Sequence, residues 1–443
     1  METDESIEMT HNNPGVTSLA LPSRAWLIVA LLWLVALLNY LDRLMITTMR
    51  DPIKESIPMS DAQFGLLTSV FLWVYGGLSP FGGFLADRFG RTRVILGSLL
   101  VWSLVTWLTA HAHSFEQLLW ARAVMGVSEA CYIPAALALI ADYHRGSTRS
   151  LATGLHMSGI YAGAALGGVG GYVAENYGWR IGFSMFGAFG VGYAVVLMFG
   201  LRDAPKTVAG GDASSSATTP INVGDVLTAL FSAPGFYVLL ALNALVGSAN
   251  WSISGWLPTY LKEHFKLGLG EAGMSATGYL QMASFAGVLI GGFWADRWIR
   301  VNPRGRVLVP AIGYCVAGPC LFLSAATGTL PLAIAGLIVF GLGKGSFDAN
   351  HMPILRQMVD ERYSATGYGF LNVVSCAAGG AMIYVGGKMK DAELDLSLTF
   401  KLSAAGLFVA GLMLFALKLR TAVVVVRDVP ILPVDLDING ANR

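Results

Sequence analysis

A chain of 443 residues that is 54% hydrophobic and only 13% charged carries about half of the roughly 25% charge usual in a soluble domain. Most of its surface is therefore not built for water, and a mean hydropathy of +0.59 agrees. A net charge of +1 excludes the basic balance of a nucleic-acid-binding protein, while 53 glycines suit helices packed closely within a bilayer.

The chain opens on METDESIEMTHNNPGVTSLALPS, acidic and polar, without the basic start and apolar run of a secretory signal. Residues 1–23 read as a tail, and the first spanning helix is expected to target the protein. A spanning helix needs about 20 mostly apolar residues. In chain order, twelve segments meet that rule: 25–48, 61–85, 92–110, 115–140, 150–174 and 179–201, then 234–260, 271–295, 307–327, 330–357, 364–387 and 398–419. Between the sixth and seventh lies RDAPKTVAGGDASSSATTPINVGD, polar and rich in small residues, which reads as a flexible linker over 202–232. The expected architecture is an all-α membrane protein of two six-helix halves, 24–201 and 233–420, with a second tail at 421–443.

The halves repeat each other. GGFLADRFGRTRV at 82–94 returns as GGFWADRWIRVNPRGRV at 291–307, GVSEACYIP at 126–134 as GSFDANHMP at 345–353, and RSLATG at 149–154 as RYSATG at 362–367. Three matches in one order indicate an internal duplication.

Cytoplasmic loops collect Lys and Arg. Of the 29 such residues, 18 fall on the side that holds both termini and 8 on the other, which predicts cytoplasmic termini. The remaining three, Arg43, Arg122 and Lys344, fall inside segments. Cys131, Cys315, Cys320 and Cys376 lie in apolar segments without disulfide or metal-ligand spacing and read as packing residues. The glycine runs at 159–173 and 379–387 read as close helix interfaces; their order does not match a nucleotide loop and no strand precedes them. No cofactor is expected, no nucleophile–base or metal cluster suggests an enzyme, and energy must come from a gradient.

The loop GGFLADRFGRTRV, with its copy between the eighth and ninth segments, resembles the signature of the major facilitator superfamily, and the likeness runs over nearly all of residues 24–420. NYLDR in the first segment, RAVMGVSEACYIPA in the fourth and GWR opening the sixth resemble the anion:cation symporter branch. YIPA after Glu129 and WLPTYL at 256–261 point the same way. Spinster-like lipid transporters share the Asp-Arg and Glu-Ala signatures and are the second resemblance. The first branch implies proton-driven uptake of a small organic anion such as a hexuronate or galactonate by a monomer in the inner (plasma) membrane; the second implies a lysolipid or another amphiphile. In the symporter pattern the residues matching Asp42, Arg43, Arg122 and Glu129 form the coupling set, and the tyrosine matching Tyr75 lies near the substrate.

The residues carry a reading of their own. Asp87, Arg88 and Arg91, with the copies Asp296 and Arg297, sit where a carboxylate can cap a helix or pair across the halves, so they are gating candidates; the arginines' alternative is enforcement of topology. A charge at bilayer depth costs roughly 3 kcal/mol on the lenient scale, so Arg43, Arg122 and Lys344 are expected to face Asp42, Glu129 and Asp348 around a polar cavity. Arg122 and Glu129, seven apart, share a helix face, as do Asn39 and Arg43. Asp42 points about 100° away from Arg43. That predicts Asp42 toward the fourth helix and Arg43 toward the central cavity.

Arg43 is the candidate for a substrate carboxylate, since guanidinium offers it two parallel bonds. Asp42 and Glu129 are candidate protonation sites beside Arg122. The alternative is static pairing that locks helices together. In the second half, Lys344 and Asp348 are an i, i+4 pair that either neutralises itself or meets an anionic ligand. Asn39, Asn250, Trp251 and Asn372 are further substrate-binding candidates, for hydrogen bonding and stacking against a sugar-like cargo, with helix packing as their alternative. His156 and His351 read as core or cavity-edge residues.

Overall fold

The computed structural model describes residues 21–144, 148–204, 223–360 and 363–417. The stretches 1–20 and 418–443, most of the linker (205–222) and, of the charge count in the helical halves, Arg145, Arg362, Lys418 and Arg420 lie outside the described residues.

Every regular element among the described residues is helical. The first half comprises α1 (Leu21–Thr48), α2 (Arg50–Ser56), α3 (Asp61–Phe89), α4 (Arg91–Thr109), α5 (Phe115–Glu129), α6 (Tyr132–Tyr143), α7 (Arg149–Leu166), α8 (Val169–Tyr177) and α9 (Trp179–Gly200). A short α10 (Val223–Phe231) follows, so the stretch read as linker ends in a helix with Val226 and Leu230 buried. The second half comprises α11 (Pro234–Phe265), α12 (Leu269–Met274), a π turn (Ser275–Tyr279), α13 (Leu280–Trp298), α14 (Gly305–Ala326), α15 (Leu330–Arg356), α16 (Ser364–Asp391) and α17 (Leu396–Ala416).

Ten helices among the described residues are long and apolar enough to cross a membrane. The other two of the twelve segments are divided: the fifth at Gly167–Gly168, between α7 and α8, and the eighth by its π turn. Large apolar side chains such as Phe84, Trp120, Phe199, Met282 and Phe293 stand outward, more than 60% exposed, as a lipid-facing surface requires and a water-facing one avoids.

Local chemistry sets the ends. Ser60 and Gln63 form a capping box on α3, and Ser114 caps α5. Gly90 and Gly178 turn between α3 and α4 and between α8 and α9 with φ +92° and +90°, where a side chain would be strained. The duplication reappears as packing: α1 on α7 and α4 on α9 in one half, α11 on α16 and α14 on α17 in the other. The halves meet along α3 against α16 and α8 against α12. In the second seam the break in the fifth segment lies on the π turn of the eighth. Thr277 Oγ1 accepts from Gly168 N–H (3.1 Å) and donates to Ala165 O (2.7 Å). A Cβ on Gly168 would stand 2.6 Å from Gly273 O.

Candidate functional site

Inside the first half, Arg43 of α1 meets Glu129, the last residue of α5. Nη2 lies 2.8 Å and Nε 3.3 Å from Oε2, and Nη2 also donates to Asn39 Oδ1 at 3.2 Å. The Arg43 and Glu129 side chains are 2% and 0% exposed. Tyr40, Phe71 and Tyr75 surround the guanidinium, their ring centres 4.5, 5.0 and 4.4 Å from Cζ. Arg122 sits beside the pair on Phe71 (4.7 Å), donating to Met125 Sδ at 3.1 Å and to the Arg43 carbonyl at 3.4 Å. Asp42 Oδ2 accepts from Thr106 of α4 at 3.4 Å. Glu129 Oε1, Asp42 Oδ1 and Arg122 Nε are buried without a protein partner. All four charged residues are held in a sealed site, where removing one member of a pair strands the other.

The two neighbours on α1 thus point differently from the expectation: Arg43 turns to the fourth segment and Asp42 to the third. The rotation of α1 is fixed by its close approach to α7. A Cβ on Gly159 would lie 2.6 Å from the Trp33 carbonyl, and one on Gly163 would overlap the Leu37 carbonyl. Spacing within α1 does not reveal that docking.

A second site lies between the halves, in a cavity of about 240 Å³. Lys344, Asp348, Asn250, Trp251 and Asn372 line it together with Tyr40, Tyr161, Gln281, His351 and Tyr368. Asn39, Arg43 and Tyr75 are not in its wall; Tyr40, stacked on the Arg43 guanidinium, stands between that group and the void. Lys344 Nζ lies 2.6 Å from Asp348 Oδ2, and the Tyr161 hydroxyl of the other half donates to the same oxygen at 3.0 Å. These side chains are 18% and 32% exposed for Lys344 and Asp348. The duplication has therefore produced one sealed acid–base pair at Glu129 and one open pair at the corresponding Asp348. Tyr40 and Tyr161 escaped the sequence reading because a tyrosine inside an apolar segment is unremarkable; the position of Tyr40 three residues before Arg43 was the one available signal.

The gating candidates form contacts within their own halves. Arg91 pairs with Asp142, approaches Asp87 at 3.7 Å and donates to the Ala138 carbonyl at 3.0 Å. Arg88 lies 5.8 Å over Phe89, and Asp296 accepts from Arg306 at 3.0 Å. Among the described residues, Asp87, Arg88, Arg91, Asp296 and Arg297 make no hydrogen bond or ion pair across the halves.

The opposite end is where charges tie the halves. Arg50 pairs with Asp51 and Asp61 and reaches Glu263 at 3.6 Å. Lys54 binds Asp61 at 2.7 Å, Lys262 binds Asp51, and Lys390 binds Glu263 at 2.7 Å. The Asp391 carboxylate accepts from the Asp61 and Ala62 amides at 2.7 and 2.9 Å, capping α3 from the other half. The sequence reading missed this network because its members come from four distant stretches.

Burial alone would raise the carboxyl pKa of Asp51, but the Lys262 hydrogen bond and the charges of Arg50 and Lys262 outweigh it and hold it below the usual value. A carboxyl with a depressed pKa contributes its stabilisation above the ordinary carboxylate range and loses it as pH falls through the depressed value. Closure of this end is therefore expected to hold from neutral pH down to about pH 4 and to weaken below. Asp51→Asn should already widen it at neutral pH. Spin labels on α2 and the far end of α11 would read the distance; an unchanged distribution in the variant would remove the network from gating.

No group of three His, Cys, Asp or Glu residues among the described residues is placed to hold a metal ion. Residues 32–384 match the sequence model of the Major Facilitator Superfamily. A probable sulfoacetate transporter of Cupriavidus necator is 26% identical over 87% of this chain and 92% of its own. An MFS-type efflux pump of Mycolicibacterium smegmatis is 29% identical over 89% and 90%. Among solved structures, a bacterial homolog of the human lysosomal transporter spinster, inward-facing and occupied, superposes with a TM-score of 0.74 at 21% identity, covering 89% of this chain and 97% of that one; this likeness bears on the fold.

Proposed function

The chain belongs to the Major Facilitator Superfamily, and from that premise we propose that this multi-pass membrane transporter takes up a small organic anion, of the sugar-acid kind, together with protons. The observation that carries the reading is Lys344, a cation in the wall of a cavity between the halves, surrounded by amide, hydroxyl and imidazole groups. A cavity of about 240 Å³ is smaller than the roughly 300–1,000 Å³ that drug-sized ligands occupy, and the Lys344, Asn250, Asn372 and Gln281 groups in its wall offer a small hydroxylated anion partners that an acyl chain would not use. The sulfoacetate relative, whose named cargo is a small anion, supports the same class.

Coupling follows from charge balance. Arg43 is neutralised either by Glu129, as here, or by a cargo anion arriving beside Tyr40. A proton on Glu129 releases the guanidinium toward the cavity, and Asp42, with one oxygen unpartnered, holds a second proton position next to Arg122. The halves, 24–201 and 233–420, then rock about this centre. With the arginine-rich ends and both termini in the cytoplasm of an inner-membrane monomer, the Arg50–Asp51–Lys262 network closes the outside and the cavity is reached from within.

The test is flux in proteoliposomes. Sugar acids, sulfonates and lysolipids are offered with and without an imposed pH gradient. Gradient-driven accumulation of a small anion, abolished in Asp42→Asn while anion exchange persists, is the expected result. Transport of lysolipids alone would replace this reading by the spinster-like one, and accumulation indifferent to pH would remove the proton.

A further inference from the structure

We propose that the end of α13 binds the headgroup of an anionic phospholipid, in a groove of about 430 Å³ formed by Trp294, Arg297, Trp298, Arg300 and Val301. Trp294 and Trp298 stack one helical turn apart, ring centres 5.7 Å apart and planes 6° from parallel. Trp294 is 44% exposed and Val301 82% exposed. Arg297 and Arg300 are exposed and have neither a carboxylate nor a hydrogen-bond acceptor among the described residues.

The first copy of the same loop shows what the alternative looks like. Arg91, at the position of Arg300, is consumed by Asp142, Asp87 and the Ala138 carbonyl. Leu85 and Phe89 stand where the second copy has its two tryptophans. The second copy therefore differs in two independent ways: Arg300 lacks the internal partners that Arg91 has, and its exposed face carries an indole pair.

Both differences point to one occupant. α13 ends here after crossing the apolar layer, so the groove lies where hydrocarbon gives way to headgroups, the depth that indole rings favour. Two guanidiniums without counterions at that depth match the planar, two-bond geometry of a phosphodiester, and basic pockets at helix ends take anionic headgroups. Charge alone would suit free phosphate; the paired indoles and the apolar Val301 suit a phosphate attached to lipid.

The full chain in mild detergent, titrated with phosphatidylglycerol or phosphatidylcholine and read by native mass spectrometry, tests this. Phosphatidylglycerol is expected to be retained roughly 25-fold over phosphatidylcholine, about fivefold for each of the two arginines. Arg297→Gln with Arg300→Gln should erase that preference, at roughly fivefold for each basic side chain, and Arg300→Lys should keep most of it. Trp294→Leu with Trp298→Phe, the first-copy residues, should weaken retention, and Arg93→Gln in the first copy should leave it intact. Size-exclusion profiles confirm that each variant is folded. Equal retention of the two lipids by the unmodified chain, a preference that survives loss of both arginines, or displacement of the lipid by an equal concentration of inorganic phosphate would each overturn the assignment.

Discussion

Arg43→Met is expected to abolish uptake and to destabilise the protein by about 3–5 kcal/mol, because it leaves the Glu129 carboxylate buried without its partner. Stability and transport separate in the double variant. Arg43→Met with Glu129→Leu replaces both charges by apolar groups of similar size, an exchange that is often neutral or stabilising. Thermal melting should therefore return close to that of the parent protein while uptake stays absent, since neither the proposed proton position nor the proposed anion partner is present. Recovery of flux in the double variant would make the pair a static brace between α1 and α5 and nothing more.

Lys344→Gln is expected to weaken binding of an anionic cargo by roughly tenfold to a hundredfold, the weight of a hydrogen bond to a charged group, with little change for a neutral analogue. Asp348 should act with the opposite sign. Its carboxylate already occupies Lys344 Nζ at 2.6 Å, so a cargo anion has to compete with it. Asp348→Asn removes the competitor, and anion binding should tighten by roughly two- to fivefold, a modest figure because the pair is partly exposed. Turnover should nevertheless fall, because the same carboxylate accepts from Tyr161 across the halves. Calorimetric binding and initial-rate uptake on the two variants separate these effects; weaker binding in Asp348→Asn would show that the aspartate contacts the cargo directly.

The twelve-segment fold was legible because a bilayer imposes a length and a polarity on each crossing, and the three repeated motifs exposed the duplication. The breaks at Gly167–Gly168 and at Ser275–Tyr279 were not legible: both lie inside apolar stretches of ordinary composition, and at the first the Gly168 amide and the Ala165 carbonyl are satisfied by a side chain of the other half. At the sites, Lys344, Asp348, Asn250 and Asn372 stood out because polar side chains are rare at that depth, and all four reach the cavity. The directions of Asp42 and Arg43 did not follow from spacing, which fixes only their difference in angle. The absolute rotation of α1 comes from glycines 159 and 163 on another helix. The Arg50–Asp61–Lys262–Glu263 network depends on which helix ends become neighbours, and that is decided by the closed arrangement of the halves.

The joint between the broken fifth segment and the π turn carries a requirement for solvent. When the halves part there, the Gly168 amide and the Ala165 carbonyl lose the Thr277 hydroxyl, which keeps the Gly273 carbonyl of its own helix, and each of the two orphaned backbone groups costs about 1–3 kcal/mol in a dry setting. Separation at that seam therefore proceeds only if hydration follows the moving surfaces, so the first thing to travel along the route is water.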